Sequence, residues 1–349
     1  MNEAPHHIDQ QILDYLQNGC SASSRELQAG IGDEASIATV KRALQRLEDA
    51  GFIETTGQGR ATRYTLGRVY NLLRPIDVDA YFQLEIDERK INTSYNHALL
   101  TEILPGVSIF SEEENMFLES LQALHISRTA ELSESEYRQE MERLAIDLSW
   151  KSSQIEGNTY SLLETERLLL QKETAEGKTR DEATMLLNHK EALDFILAHT
   201  DYIEPLTLSS IEDIHSLLIK DLGVKRNLRR RRVGISGTNY VPLDNEHQIR
   251  QAMDEMCLLI NKRDNVFEKA LLVLLIISYI QPFADGNKRT ARIISNAILM
   301  NAGYCPLSFR TVDSLEYKKA MLVFYEQNNL SVFKRIFTEQ FEFAVKTYF

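Results

Sequence analysis

The stretch SYIQPFADGNKRTAR, Ser278–Arg292, takes the chain from an apolar run through a short polar loop into a basic helix start. The preceding residues, ALLVLLIISYI from Ala270 to Ile280, are too few to cross a bilayer and read as a buried core helix. A second helix is expected to begin near Asn287. Amides at a helix start have no intrahelical partner, and Gly286 allows close approach to them, so the loop has the ingredients of an anion site. Arg289 and Arg292 are three apart, on one helical face, and can reach one polyphosphate. Asp285 offers a hard oxygen ligand suited to Mg2+ that bridges phosphate oxygens, and Phe283 an apolar anchor. Read blandly, the same residues make a helix-loop-helix with an Asp-Gly turn and two surface arginines.

Around this stretch the chain has 349 residues, 43% of them hydrophobic and 26% charged, which is ordinary globular composition and long enough for two domains. Its net charge of −12 argues against a general binder of nucleic acid or anionic membrane, while leaving room for one local basic face. Cys20, Cys257 and Cys305 have no metal-ligand spacing, and their odd number gives no disulfide framework. With no signal peptide pattern in MNEAPHHIDQQILDYL, a reducing cytoplasm is the expected location.

The first 70 residues carry a different pattern. IDQQILDYL places Ile8, Ile12, Leu13 and Leu16 at helical spacing, SSRELQAGI reads as a short capped helix, and Ile37, Val40, Leu44 and Leu47 share one face of a third. FIETTGQGRATRYTL then alternates as two strands joined at Gly57-Gln58-Gly59. Three helices and a hairpin in this order resemble a winged helix-turn-helix, with LQRLEDAGFIE resembling the end of the recognition helix. Lys41, Arg42, Arg46, Arg60 and Arg63 fall where groove and phosphate contacts would be made, which points to DNA; a solvated face used for dimerisation or protein docking fits the same charges. A two-fold DNA site would favour a homodimer.

Residues 71–95 read as a linker, broken at Pro75 and followed by a helix with Asp77 or Asp79 as cap. Residues 96–349 read as helix almost throughout. The exception is RRVGISGTNYVPL, 231–243, whose β-prone residues around Gly234, Gly237 and Asn239 predict a hairpin inserted in a helical domain. The expected fold class is therefore mainly α, with a small β-hairpin flap, preceded by a winged helix-turn-helix.

Residue by residue, QPFADGNKRTAR at 281–292 resembles the signature of the Fic family, His-x-Phe-x-(Asp/Glu)-Gly-Asn-(Gly/Lys)-Arg-x-x-Arg. The resemblance extends over about 95–330, including IHSLLI from Ile214 and NAGYCPL after the motif. It implies transfer of AMP from ATP to a Ser, Thr or Tyr hydroxyl of a protein. Asp285 would then hold Mg2+; Gly286, Asn287, Lys288, Arg289 and Arg292 would bind nucleotide, with Asn287 and Arg292 also taking part in catalysis. The 231–243 flap would align the target by strand addition, and the adenine would lie near Asn296. SSQIEGN, at the end of a helix near 147–158, is similar to the family's inhibitory motif, with Ser152, Glu156 and Gly157 in the matching places. There one carboxylate would compete with phosphate for the Arg292 guanidinium.

One position departs from the family. Its first motif residue is His, a base with a suitable pKa, and here it is Gln281, a neutral amide. His189 and His215 lie on amphipathic helices and read as core or surface residues rather than replacement bases. Three outcomes stay open: slow transfer with Gln281 orienting the hydroxyl, nucleotide binding without transfer in a regulator acting through the winged helix, or removal of AMP from modified protein by a water placed by Glu156.

Overall fold

A computed structural model describes residues 7–19, 21–31 and 35–349; Cys20 and the side chain of Arg60 lie outside the described part. The chain divides into two compact units, Met1–Pro75 and Ile76–Phe349.

In the first unit, α1 (His7–Asn18), α2 (Ser24–Gly30) and α3 (Ile37–Asp49) precede a two-stranded antiparallel ribbon, β1 (Ile53–Thr56) and β2 (Arg63–Leu66), and a short α4 (Arg68–Leu73). The helix starts are set by side chains. Ser23 and Glu26 form a reciprocal capping box on α2, and Ser36 accepts from the Thr39 amide at the start of α3. Ile12, Leu13, Leu16, Val40, Leu44 and Leu47 bury together, whereas Ile37, expected on the same face, sits in the first turn and is exposed. At Gly57 the backbone φ is +76° and an added Cβ would lie 2.4 Å from the Ala61 carbonyl oxygen, so the ribbon's turn requires glycine.

Two of the basic residues assigned to DNA are already engaged. Arg46 donates to both oxygens of the buried Asp9, at 2.6 and 3.3 Å, tying α3 to α1, and Arg63 pairs with Glu26 at 2.6 Å. Arg46 therefore belongs in part to the packing of the unit. Lys41 and Arg42 are exposed on α3, with no ion pair or side-chain hydrogen bond among the described residues.

The second unit comprises α5 (Val78–Gln83), α6 (Glu112–Glu131), α7 (Glu134–Ile155), α8 (Leu162–Gln171), α9 (Arg180–Ala198), α10 (Leu208–Leu218), α11 (Glu246–Asn261), α12 (Val266–Ile280), α13 (Asn287–Asn301), α14 (Ser314–Gln327) and α15 (Ser331–Tyr348). α12 is apolar nearly all round and is buried on every side, which makes it the axis of the unit; α13 packs along it. None of the described helices is long and apolar enough to cross a membrane.

Two expectations are corrected here. Residues 76–95 are not a linker but part of the second unit. Asp77 caps α5, and the fully buried Glu326 carboxylate takes Arg89 at 3.0 Å and the Tyr81 hydroxyl at 2.6 Å. A buried ion pair whose partner is removed leaves an uncompensated charge, so Glu326→Ala is expected to cost the second unit about 3–5 kcal/mol, read as a lowered denaturant midpoint. The second correction concerns 231–243. The segment turns at Ser236-Gly237, but its two limbs form no ladder; its one bridge joins Val241 to Ser94. The turn is held instead by Arg89, which donates to the Gly237 carbonyl at 2.8 Å. The only two-stranded sheet among the described residues is the ribbon of the first unit.

Candidate functional site

The site is assembled at the junction of α12 and α13. Gln281 ends α12 with φ +52°, in the left-handed region, and Gly286 opens α13 with φ +80°. A Cβ at Gly286 would meet the His215 ring at 3.2 Å, a tight contact on top of a backbone angle that favours glycine. The first intrahelical bond of α13 runs from Thr290 to the Gly286 carbonyl at 2.9 Å. The amides ahead of it are left to something outside the helix, and with the positive end of the helix dipole they favour an anion.

Asn287 fixes the loop. Its Oδ1 accepts from the Phe283 amide at 2.8 Å, and its Nδ2 donates to the Phe283 carbonyl at 2.9 Å and to Gln281 Oε1 at 3.0 Å. Gln281 Nε2 donates to the Ser278 carbonyl at 2.7 Å. Both ends of the Gln281 amide are thus oriented, and neither can take up a proton at neutral pH. Phe283 is fully buried, with its ring stacked on His215 at 3.7 Å and an interplanar angle of 6°.

Neither buried histidine substitutes for a base. His215 Nδ1 is 3.1 Å from Thr290 Oγ1, and burial, then the nearby Arg289 charge, pushes its pKa down to about 3. His189 is fully buried, and burial together with Arg292 and Arg289 holds it well below its ordinary value.

Arg289 and Arg292, expected on one face, are both buried. Arg289 reaches the Leu218 carbonyl at 3.3 Å and Asp285 at 3.4 Å; the Asp285 side chain is otherwise largely open to solvent. Arg292 lies in a cradle supplied by the end of α7: its Nε donates to Ser152 Oγ at 2.8 Å, and its Nη2 to the Ser152 carbonyl at 2.8 Å and to Glu156 Oε1 at 2.9 Å. Tyr317 lies beneath it, with the guanidinium carbon 5.3 Å from the ring centroid. The third nitrogen, Nη1, is buried without a hydrogen-bond partner among the described residues.

Glu156 is placed by the way α7 stops. Gly157 takes φ +101°, its amide returns to the Gln154 carbonyl at 2.9 Å, and the Asn158 amide returns to Ser153 at 3.0 Å. These paired bonds form a Schellman cap, and they leave Glu156 facing α13. A carboxylate at a helix C-terminus opposes the helix dipole. Burial would also raise its pKa, but Arg292 and then Lys288 hold it below the ordinary carboxylate value. Lys288, expected on nucleotide, is instead 3.4 Å from Glu156 Oε2. Ser152, Glu156, Lys288 and Arg292 therefore meet as one cluster.

Sequence reading missed Arg229. It is buried, its amide donates to the Pro282 carbonyl at 3.0 Å, and its guanidinium donates to the Gln281 carbonyl at 2.6 Å and to the Leu243 carbonyl. One residue thus fastens both ends of the 229–243 segment to the loop after α12. It is the first of four consecutive arginines, and nothing in the run distinguishes the one that turns inward. Asn296, expected near the adenine, is fully buried and exchanges two hydrogen bonds with the Leu307 backbone at 2.7 and 2.9 Å.

No group of three or more His, Cys, Asp or Glu residues among those described could hold a metal by itself. The one carboxylate at the loop mouth, Asp285, suits a cation that keeps most of its ligands as water and phosphate oxygens, as Mg2+ does.

Residues 205–299 match the Fic/DOC family and residues 6–54 match a family described as winged helix-turn-helix DNA-binding. Among curated proteins, "Protein adenylyltransferase Fic" of Nematostella vectensis is 31% identical over 172 residues, 48% of this chain and 40% of that protein. The protein of the same name from Aedes aegypti is 29% identical over 161 residues, covering 44% and 32%. The matched part thus spans well under half of these relatives. Of solved structures, Fic-1 from C. elegans superposes with a TM-score of 0.59 at 21% identity, over 68% of this chain and 72% of that one. A Fic domain containing signaling protein from Bacteroides thetaiotaomicron gives 0.54 at 19% identity, over 68% and 94%. At these identities the superpositions speak for the fold alone.

Proposed function

Because this chain carries a Fic/DOC-family domain C-terminal to a winged helix-turn-helix, we propose that its second unit transfers AMP from ATP to a protein hydroxyl and is held off by Glu156. The carrying observation is the 2.9 Å pair between Glu156 and the buried Arg292, because a carboxylate and a phosphate cannot both occupy that guanidinium edge. In the transfer, a Ser, Thr or Tyr oxygen attacks the α-phosphorus. A new phosphorus–oxygen bond forms, the bond to the bridging α–β oxygen breaks, and pyrophosphate leaves. The α13 amides and Arg289 offer fixed donors for the charge on the phosphates, a form of electrostatic preorganisation. Mg2+, when bound at Asp285, would neutralise charge on the phosphates.

Gln281 has a limited part in this reading. Its amide is held in place by Ser278 and Asn287 and can orient the incoming hydroxyl. The hydroxyl proton then passes to water or a phosphate oxygen, which makes the reaction slow. The test is transfer of label from α-labelled ATP with Mg2+, comparing wild type, Glu156→Gly and Gln281→His. Absence of label on the protein itself and on added cell lysate in all three would end the reading.

Lys41 and Arg42 support a second activity, binding of a DNA duplex by the first unit, since both present free charge on α3. Lys41→Glu with Arg42→Glu is expected to weaken binding to any duplex and to flatten the logarithmic salt dependence by about 0.9 for each phosphate that is no longer neutralised. An unchanged slope would count against that face. Two chains on a two-fold site would use it twice.

A further inference from the structure

The strongest unassigned feature is the positive surface beside the catalytic loop. Six of the eight residues 225–232 are Lys or Arg, and no Asp or Glu occurs from 222 to 243, in a chain with 51 acidic residues. Arg229 turns inward, while Arg226 pairs with Asp213 and Arg230 with Glu246. Lys225, Arg231, Arg232 and the neighbouring Arg250 are exposed, and their side chains make no ion pair or hydrogen bond among the described residues. Arg230 and Arg250 also line one cleft of about 530 Å³ with Asp244, Asn245, Glu246 and His247. Like charges gathered this closely repel; Asp213 and Glu246 answer Arg226 and Arg230, and no ion pair among the described residues answers Lys225, Arg231, Arg232 or Arg250.

Their position gives the patch a use. The Arg229 amide is bonded to the Pro282 carbonyl, next to Gln281. Three residues of extended chain reach at most about 10 Å, so Arg230–Arg232 cannot lie far from the loop. The backbone of Val233–Ser236 beyond them makes no backbone hydrogen bond among the described residues and is open to an added strand. A strand added there brings a peptide hydroxyl toward Gln281 and, at about 3.3 Å per residue, carries its neighbours past the arginines.

We propose that this surface docks an acidic segment of the target polypeptide, with Asp or Glu about three residues from the modified hydroxyl. The proposal rests on the transfer reading and adds the substrate class. A peptide is favoured over nucleic acid because the adjoining open backbone recognises main-chain amides.

The test is direct binding of the full chain to fluorescent 12-residue peptides, without nucleotide, so that it does not depend on turnover. One peptide carries a serine flanked by Asp and Glu, and its control carries Asn and Gln. The acidic peptide is expected to bind at least 10-fold more tightly, and Arg231→Glu with Arg232→Glu to abolish that preference. Binding of Mg-ATP should be unchanged in this variant. Equal affinity for both peptides overturns the proposal. So does tighter binding of a single-stranded oligonucleotide that is abolished in the same variant. Acidic preference without label transfer keeps the docking surface and removes the transfer reading; transfer without acidic preference does the reverse.

Discussion

Glu156→Gly is expected to raise transfer of AMP by roughly 10- to 150-fold over wild type. The size of the effect follows from what the carboxylate does in the resting protein. It accepts a charge-assisted hydrogen bond from Arg292 at 2.9 Å and lies 3.4 Å from the Lys288 ammonium. A hydrogen bond to a charged group contributes about 1.5–3 kcal/mol, and each 1.4 kcal/mol is about a factor of ten in occupancy. Removing it returns a buried guanidinium to the phosphates. Glycine at the C-cap of α7 would loosen that helix end, but Ser152 still accepts two bonds from Arg292, so the cradle should persist. Lys288→Met should give a smaller rise in the same assay, since it removes only the longer contact. No gain in either variant, with ATP bound, would mean that Glu156 does not obstruct a productive pose.

Gln281→His should have the larger effect on chemistry, on the order of 100- to 10,000-fold, which is the usual contribution of a general base. The position accepts the change well. Its φ of +52° lies in the left-handed region, where histidine is among the more tolerated residues. The Ser278 carbonyl, which now accepts from the Gln281 amide at 2.7 Å, can accept from Nδ1–H and leave Nε2 free toward the hydroxyl. The rise should depend on pH, growing as the imidazole loses its proton through its ordinary range near 6.5. A pH-independent gain would assign the effect to geometry instead of proton transfer. Combined with Glu156→Gly the gains should multiply, because one change acts on nucleotide pose and the other on the nucleophile.

How much of the fold and site could be read from the residues depended on the kind of signal. The loop and its helices are local: an apolar run, a glycine and two arginines at fixed spacing specify a helix-loop-helix wherever it sits. Pairing is not local. That Lys288 would turn to Glu156, 132 residues earlier, follows from the Schellman cap on α7 and the packing of α13, neither of which has a trace at Lys288 itself. Arg46 shows the same limit: it has the spacing of a groove-facing residue, and its pairing with Asp9 from α1 leaves no trace at Arg46 itself. The 231–243 segment has strand-like composition, yet its position is fixed by the side chains of Arg229 and Arg89, so no ladder was needed to hold it. Residues 76–95 looked like a connector because the attraction that folds them comes from Glu326, near the far end of the chain.

The Nη1 of Arg292 has no hydrogen-bond partner among the described residues. A fully buried guanidinium is served by one carboxylate, one hydroxyl and one carbonyl. Glu156 is the counter-ion that α7 supplies to this interior charge, and on the transfer reading it would be a temporary one. A triphosphate brings more acceptors and more negative charge than that carboxylate. On the transfer reading, release of inhibition and entry of nucleotide would be a single exchange of anions around a fixed cation, with no stage at which the bare charge is uncovered.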